Sequence, residues 1–221
     1  MSQKRIFVPT RSAEDWRQLL AKPDRQWRDG YSAKSAAERW ERFAGLPPEI
    51  TDQFVRAGFP APLLVLAIPE FKTDLPGGGA PSQSDIFCVV KSGSERIAAA
   101  VEAKVAESFG ETLGEWLASP SPGKKKRIDY ICQLLDVDGV PSPSLRYQLF
   151  HRSAAAIVEA QNFGFKQAAM IVHSFSITDQ WIDDFQAFRR ALDISAGPFE
   201  PATIRLRAGV QFTLGWAKGA P

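Results

Sequence analysis

Apolar residues follow two rhythms along this chain. From Ala61 to Ile68 they run almost unbroken, the pattern of a strand covered on both faces, so PLLVLAIPEFKTDL (62–75) predicts a long first strand. SDIFCVVKSGSERIAAAVEAKV (84–105) predicts a hairpin of two apolar strands around the turn Lys91-Ser-Gly-Ser94. AAMIVHSFS (168–176) repeats the buried-strand pattern, and ATIRLRAGVQFTLGWAKG (202–219) alternates as two strands around Ala208-Gly209. Helical spacing takes over elsewhere. Ala36, Ala37, Trp40 and Phe43 predict a helix over 32–44 opened by Ser32. Leu145, Leu149, Ala156, Ile157 and Ala160 form the core stripe of a helix over 145–163, capped by Ser144 and stopped by Gly164. Shorter helices are expected over about 12–21, from Leu46-Pro-Pro-Glu-Ile50 to Ala57, over 112–118 and over 178–192. Ile128, Ile131, Leu134 and Leu135 mark one more, with Lys124-Lys-Lys-Arg127 as its basic first turn. PGGGAPSQS (76–84) reads as a mobile loop without the lysine that a phosphate loop carries after its glycines.

Helices first, then three meandering strands, then a helix and another strand imply an α/β fold: a mixed central sheet with helices on both faces. Residues 1–221 suit one domain, with a core at about 32–176, a helical insertion at 107–144 and the hairpin 202–219 as an elaboration. Its bulk numbers, 44% hydrophobic and 24% charged residues, are those of a globular chain. A formal net charge of +2 is too small to announce a nucleic-acid binder by electrostatics alone. No apolar run approaches the ~20 residues of a membrane span, and MSQKRIFVPTRS has no apolar core of signal-peptide length. Cys88 and Cys132 sit inside apolar segments, and with two histidines in the chain they cannot build a zinc site. A cytoplasmic, reducing setting with no membrane partner is the expectation.

Charge inside the hairpin points to chemistry. Alternation along a strand puts Ile97, Ala99, Val101 and Ala103 on one face, and Ala98, Ala100, Glu102 and Lys104 on the other. Asp85 opens the preceding strand, and antiparallel pairing brings it toward the Glu102–Lys104 end. An acid on one strand and Glu-x-Lys on its neighbour suit a hard divalent ion, Mg2+ or Mn2+, which takes oxygen ligands and keeps waters. The bland alternative is an edge-strand salt bridge, worth only ~0–1 kcal/mol when exposed. The absence of other charge between Ile97 and Val105 weighs against an edge.

This element order, with Asp85 and Glu102-Ala-Lys104, resembles the PD-(D/E)xK nuclease superfamily, and VEAKVAESFGETLGEW and RYQLFHRSAAA resemble a bacterial family within it. Ser84 stands where the superfamily's proline would precede Asp85. The resemblance implies a restriction-endonuclease-like core (αβββαβ) in three layers, with extra helices before it and a β-hairpin after it. It implies metal ligation by Asp85, Glu102, the carbonyl of Ala103 and an auxiliary acid, for which Glu38 is the candidate. Lys104 would orient the attacking water, with Gln148 as the polar residue on the following helix and Arg152 one turn on. Lys124, Lys125, Lys126, Arg127 and Arg152 are the candidate nucleic-acid contacts, although a solvated face is the commonest use of a cluster such as Lys124–Arg127. His151 reads as a surface or hydrogen-bonded histidine rather than a base.

The function expected from this is a Mg2+- or Mn2+-dependent nuclease acting on phosphodiester bonds, chiefly of DNA, working as a monomer or homodimer. The alternative is a nuclease-fold protein without turnover, serving binding or assembly through an aromatic amino-terminal region containing Trp16, Trp27 and Trp40. A phosphohydrolase acting on a small nucleotide ranks third, since no residue in the sequence positions a base or ribose.

Overall fold

The computed structural model describes residues 10–220. The first nine residues, which carry most of MSQKRIFVPTRS, lie outside them, as does Pro221.

Six strands form one mixed sheet: β1 (Leu63–Thr73), β2 (Ser82–Ser92), β3 (Glu95–Lys104), β4 (Gln167–Ser174), β5 (Ala202–Arg205) and β6 (Gln211–Lys218), in the order β1-β2-β3-β4-β6-β5. β1, β2 and β3 meander antiparallel; β4 lies parallel to β3, and β6 parallel to β4. The alternation read from the sequence divides the core. Ile86, Cys88, Ile97, Ala99 and Val101 face a layer built on Trp40, Ile50 and Phe54. Phe87, Val89, Ala98 and Ala100 face the opposite layer, which includes Ile131, Phe150 and Phe185. The first layer comes from α2 (Ser32–Arg42) and α3 (Pro48–Arg56), preceded by a 3-10 helix at Ala13–Leu19 and a single turn, α1, at Pro23–Gln26. The second comes from α4 (Leu113–Leu117), α5 (Pro122–Leu134), α6 (Tyr147–Asn162) and α7 (Ile182–Ala191). Four alanines in β3 and three in α6 (Ala154–Ala156) leave short side chains where helix and sheet meet, so both backbones approach closely.

Boundaries move for identifiable reasons. α6 starts at Tyr147, after Ser144, because the chain first pairs with the α4 entry: Leu113 N–H donates to Leu145 O at 2.7 Å and Tyr147 N–H to Glu111 O at 3.1 Å. α7 starts at Ile182 because the Ser176 hydroxyl accepts from the amides of Thr178 and Gln180, holding that stretch in a turn. The glycine loop expected to be mobile is gripped. Arg127 donates to the carbonyls of Leu75, Pro76, Gly78 and Ala80. A Cβ on Gly77 would fall 2.2 Å from Gly123 O, so the loop lies backbone to backbone on the start of α5. Trp16 and Trp40 are core residues at 3% and 1% exposure, which removes them from any aromatic interface.

A buried polar chain fastens the α2–α3 layer to the sheet. Arg39 holds both oxygens of Glu49 at 2.8 Å; Glu49 Oε1 lies 2.7 Å from His173 Nε2; Trp40 Nε1 donates to His173 Nδ1 at 3.3 Å. Since Nδ1 accepts, the ring is neutral with its proton on Nε2. Among the described residues, no helix is long and apolar enough to cross a membrane.

Candidate active site

The β2–β3 ladder ends at Ile86 opposite Val101, although β2 begins four residues earlier and β3 runs three residues further. Beyond that pair the two strands fork. Continuing the register places Asp85 across from Glu102, on the face where alternation puts both. Asp85 Oδ2 accepts the Ala103 N–H at 2.7 Å, a donor that the ladder leaves to the fork. The Ala103 carbonyl belongs to the same edge of β3.

Glu102 is 2% exposed and Lys104 4%. Lys104 Nζ and Gln148 Nε2 donate to Glu102 Oε1, the latter at 2.8 Å, and Arg152 Nε donates to Oε2 at 2.5 Å. Gln148 and Arg152 reach it together because they stand one turn apart on α6. Burial alone would raise the Glu102 pKa, but Arg152 and Lys104 hold it at about 2. Arg152 Nη1 also donates to Ser82 Oγ at 3.2 Å. Ser82 Oγ lies 2.8 Å from His151 Nδ1, so His151 is the hydrogen-bonded residue expected, and burial beside Arg152 holds its pKa well below the usual value.

A third carboxylate completes the cluster, one that the sequence pattern does not reveal. The pairs Pro69–Ile86 and Phe71–Ser84 put Glu70 opposite Asp85. Glu70 has φ +53°, a left-handed conformation inside a strand and a form of strain that gathers at functional sites. It accepts from Gln83 Nε2 at 2.5 Å. Burial and the Asp85 charge push Glu70 up to about 8; burial and the Glu102 charge push Asp85 up to about 7. Only with all three carboxyls ionised would the set exceed Lys104 and Arg152 by one negative charge; near neutrality protons offset it, and those protons are what a bound cation would displace. As they stand, the carboxyls do not converge on one point: among the described residues, no three His, Cys, Asp or Glu side chains are grouped to hold a metal ion.

These residues floor a cleft of about 490 Å³ whose other wall is the amino-terminal stretch carrying Lys22, Arg25 and Tyr31. Glu107 joins the walls, accepting the Ser32 N–H at 2.8 Å and the Val105 N–H at 3.0 Å. Glu38 stays outside, 54% exposed and 3.8 Å from Lys34. Of the basic cluster, Lys125 pairs with Asp129, Lys126 is exposed, and Lys124 donates to Trp116 O at 2.6 Å. Arg127 and Arg152 are each 8% exposed and turned inward, Arg127 onto loop carbonyls and Arg152 onto Glu102 at the floor of the cleft. Lys124 instead helps wall a second hollow of about 420 Å³ with Trp116, Tyr147 and His151, beyond Ser82.

Glu70 has a faint signal in the sequence, a charge two residues after the apolar run, but nothing in the pattern turns it inward. Lys22 and Arg25 have none.

A family model described as a domain of unknown function, DUF6946, matches residues 9–221. No curated protein and no solved structure matches the chain significantly.

Proposed function

The chain belongs to the DUF6946 family, and on that premise, which carries no activity of its own, we propose that it is a Mg2+- or Mn2+-dependent nuclease hydrolysing phosphodiester bonds, chiefly of DNA. One observation carries the reading: Asp85, Glu102 and Lys104 stand on one face of a strand fork with Glu70 beside them. The resemblance to PD-(D/E)xK nucleases supports it.

Asp85, Glu70, Glu102 and the Ala103 carbonyl would be the oxygen donors for an ion, and the carboxyls would have to draw together to hold it. Bound there, it would supply a water of lowered pKa and positive charge against the phosphoryl group. Arg152 and Gln148 position Glu102 from α6. Lys104, released from part of its contact with Glu102, steadies the attacking water oxygen and the charge that grows on the phosphate. Burial keeps these interactions strong by excluding solvent.

A second reading has its own support. Both Glu102 oxygens are already taken by Lys104, Gln148 and Arg152, as in a protein that keeps the nuclease fold for binding or assembly. Isothermal titration of Mn2+ into wild type and Asp85→Asn separates the two. The nuclease reading expects binding in wild type that is lost in the variant. Identical traces from the two proteins favour the non-catalytic reading.

A further inference from the structure

The wall facing the carboxylates is unused by the chemistry above, and its charge is of the opposite sign. Lys22 and Arg25 are exposed, line the cleft, and among the described residues have no carboxylate partner. Of the neighbouring cations outside the cleft lining, Arg17 pairs with Asp24 at 3.1 Å and Lys34 with Asp29, while Arg28 donates to the Asp24 backbone carbonyl. Tyr31, 39% exposed, adds an aromatic face to the same wall. The wall is fixed in place. Glu107 ties the Ser32 amide to Val105, the residue after Lys104, and Trp27 Nε1 donates to Glu14 at 2.8 Å.

The floor under this wall is deep, with Glu102 at 2% and Lys104 at 4% exposure. A volume of about 490 Å³ falls in the ~300–1,000 Å³ range of sites for one small molecule, room for about one nucleotide. A duplex holds its phosphates on a stiff cylinder, whereas a floor this buried is reached by a chain that can turn toward it. An unpaired strand bends in. Cations tracking a backbone, with an aromatic side chain for a base, are the features of single-strand binding sites.

We infer that this cleft takes a single nucleic-acid strand or an unpaired strand end, with Lys22 and Arg25 on the phosphates flanking the buried one and Tyr31 stacked on a base. The binding stands on the geometry of the roof; that the strand is then cut rests on the nuclease reading.

The test uses fluorescein-labelled 20-nucleotide DNA and RNA single strands and a blunt DNA duplex, measured by fluorescence anisotropy across a salt series in Ca2+. Wild type is compared with the Lys22→Ala/Arg25→Ala double variant and with Tyr31→Ala, all changes at exposed positions. Single strands of DNA, RNA or both should bind more tightly than duplex. The slope of log K against log salt should shrink by about 1.4 in the double variant, at ~0.7 for each single-strand phosphate that is no longer neutralised. Tyr31→Ala should weaken binding with the slope kept, as removal of a stacked ring does. Equal affinity for duplex, an unchanged slope in the double variant, or no oligonucleotide binding by wild type would overturn the inference. Cleavage in Mn2+ is scored separately. Strands bound with the expected slope yet left intact sink the nuclease reading alone; duplex bound and cut as readily as single strand sinks this inference alone.

Discussion

Burial and a neighbouring carboxylate, Glu102 for Asp85 and Asp85 for Glu70, lift both groups into the neutral range, to about 7 and about 8. The consequence for stability has a definite sign. A folded-state pKa raised to about 7 at Asp85 means that, between that value and the unfolded ~3.8, the native protein binds more protons than the unfolded chain. Without divalent ions, this carboxyl's contribution to stability should therefore rise as pH falls from 8 toward 5. His151 and His173, held neutral by burial, contribute with the opposite sign, so the expectation is for the difference: wild type should gain stability relative to Asp85→Asn over that range. Urea midpoints of both proteins at several pH values measure this; a difference that does not change with pH would refute it. Glu102 behaves oppositely, since its charge is what Arg152 and Lys104 are folded around. Removing one partner of a buried ion pair costs ~3–5 kcal/mol, so Glu102→Ala should lose about that much in urea unfolding while Asp85→Asn does not. Glu102 and Lys104 were legible because strand periodicity alone puts them on one face. Glu70 was not, because only a backbone at φ +53° turns it inward, and a pattern of apolar and polar letters carries no such angle.

At the scale of elements, the basic start of α5 shows how composition misleads. Four consecutive cations suggested a phosphate-facing surface, yet Arg127 is spent on four loop carbonyls and is what keeps 75–80 in place. Arg127→Gln should cost about 2 kcal/mol, the usual penalty for leaving buried polar groups unpaired, and hydrogen exchange in 75–80 should quicken. An unchanged exchange rate in that loop would show that something else holds it. The hairpin, the α6 stripe and the carboxy-terminal strands were readable from period and turn residues. The late starts of α6 and α7 were not, because both are set by hydrogen bonds to distant or turn-forming groups that compete with a local capping signal.

For the whole molecule, order of elements sufficed to infer a mixed sheet between two helical layers, as three meandering strands and a right-handed return leave few arrangements. Antiparallel pairing sufficed to bring Asp85 toward the Glu102–Lys104 end, but not to show that the two strands part beyond Ile86 and Val101. What the chain order could not convey is that Lys22 and Arg25, about 60 residues before Asp85, come back over the fork as its basic roof. That closure sets two cations over the carboxylates and makes the space between them a cleft. The measurement that tests this most directly is a cleavage time course on end-labelled single-stranded DNA with Mn2+ or EDTA, using wild type and Asp85→Asn. The account predicts fragments only with wild type in Mn2+, and a loss of ~100-fold or more in the variant, at or beyond the upper end of what perturbing a metal site's outer partners costs. No fragments from wild type, or equal rates from both proteins, would contradict it.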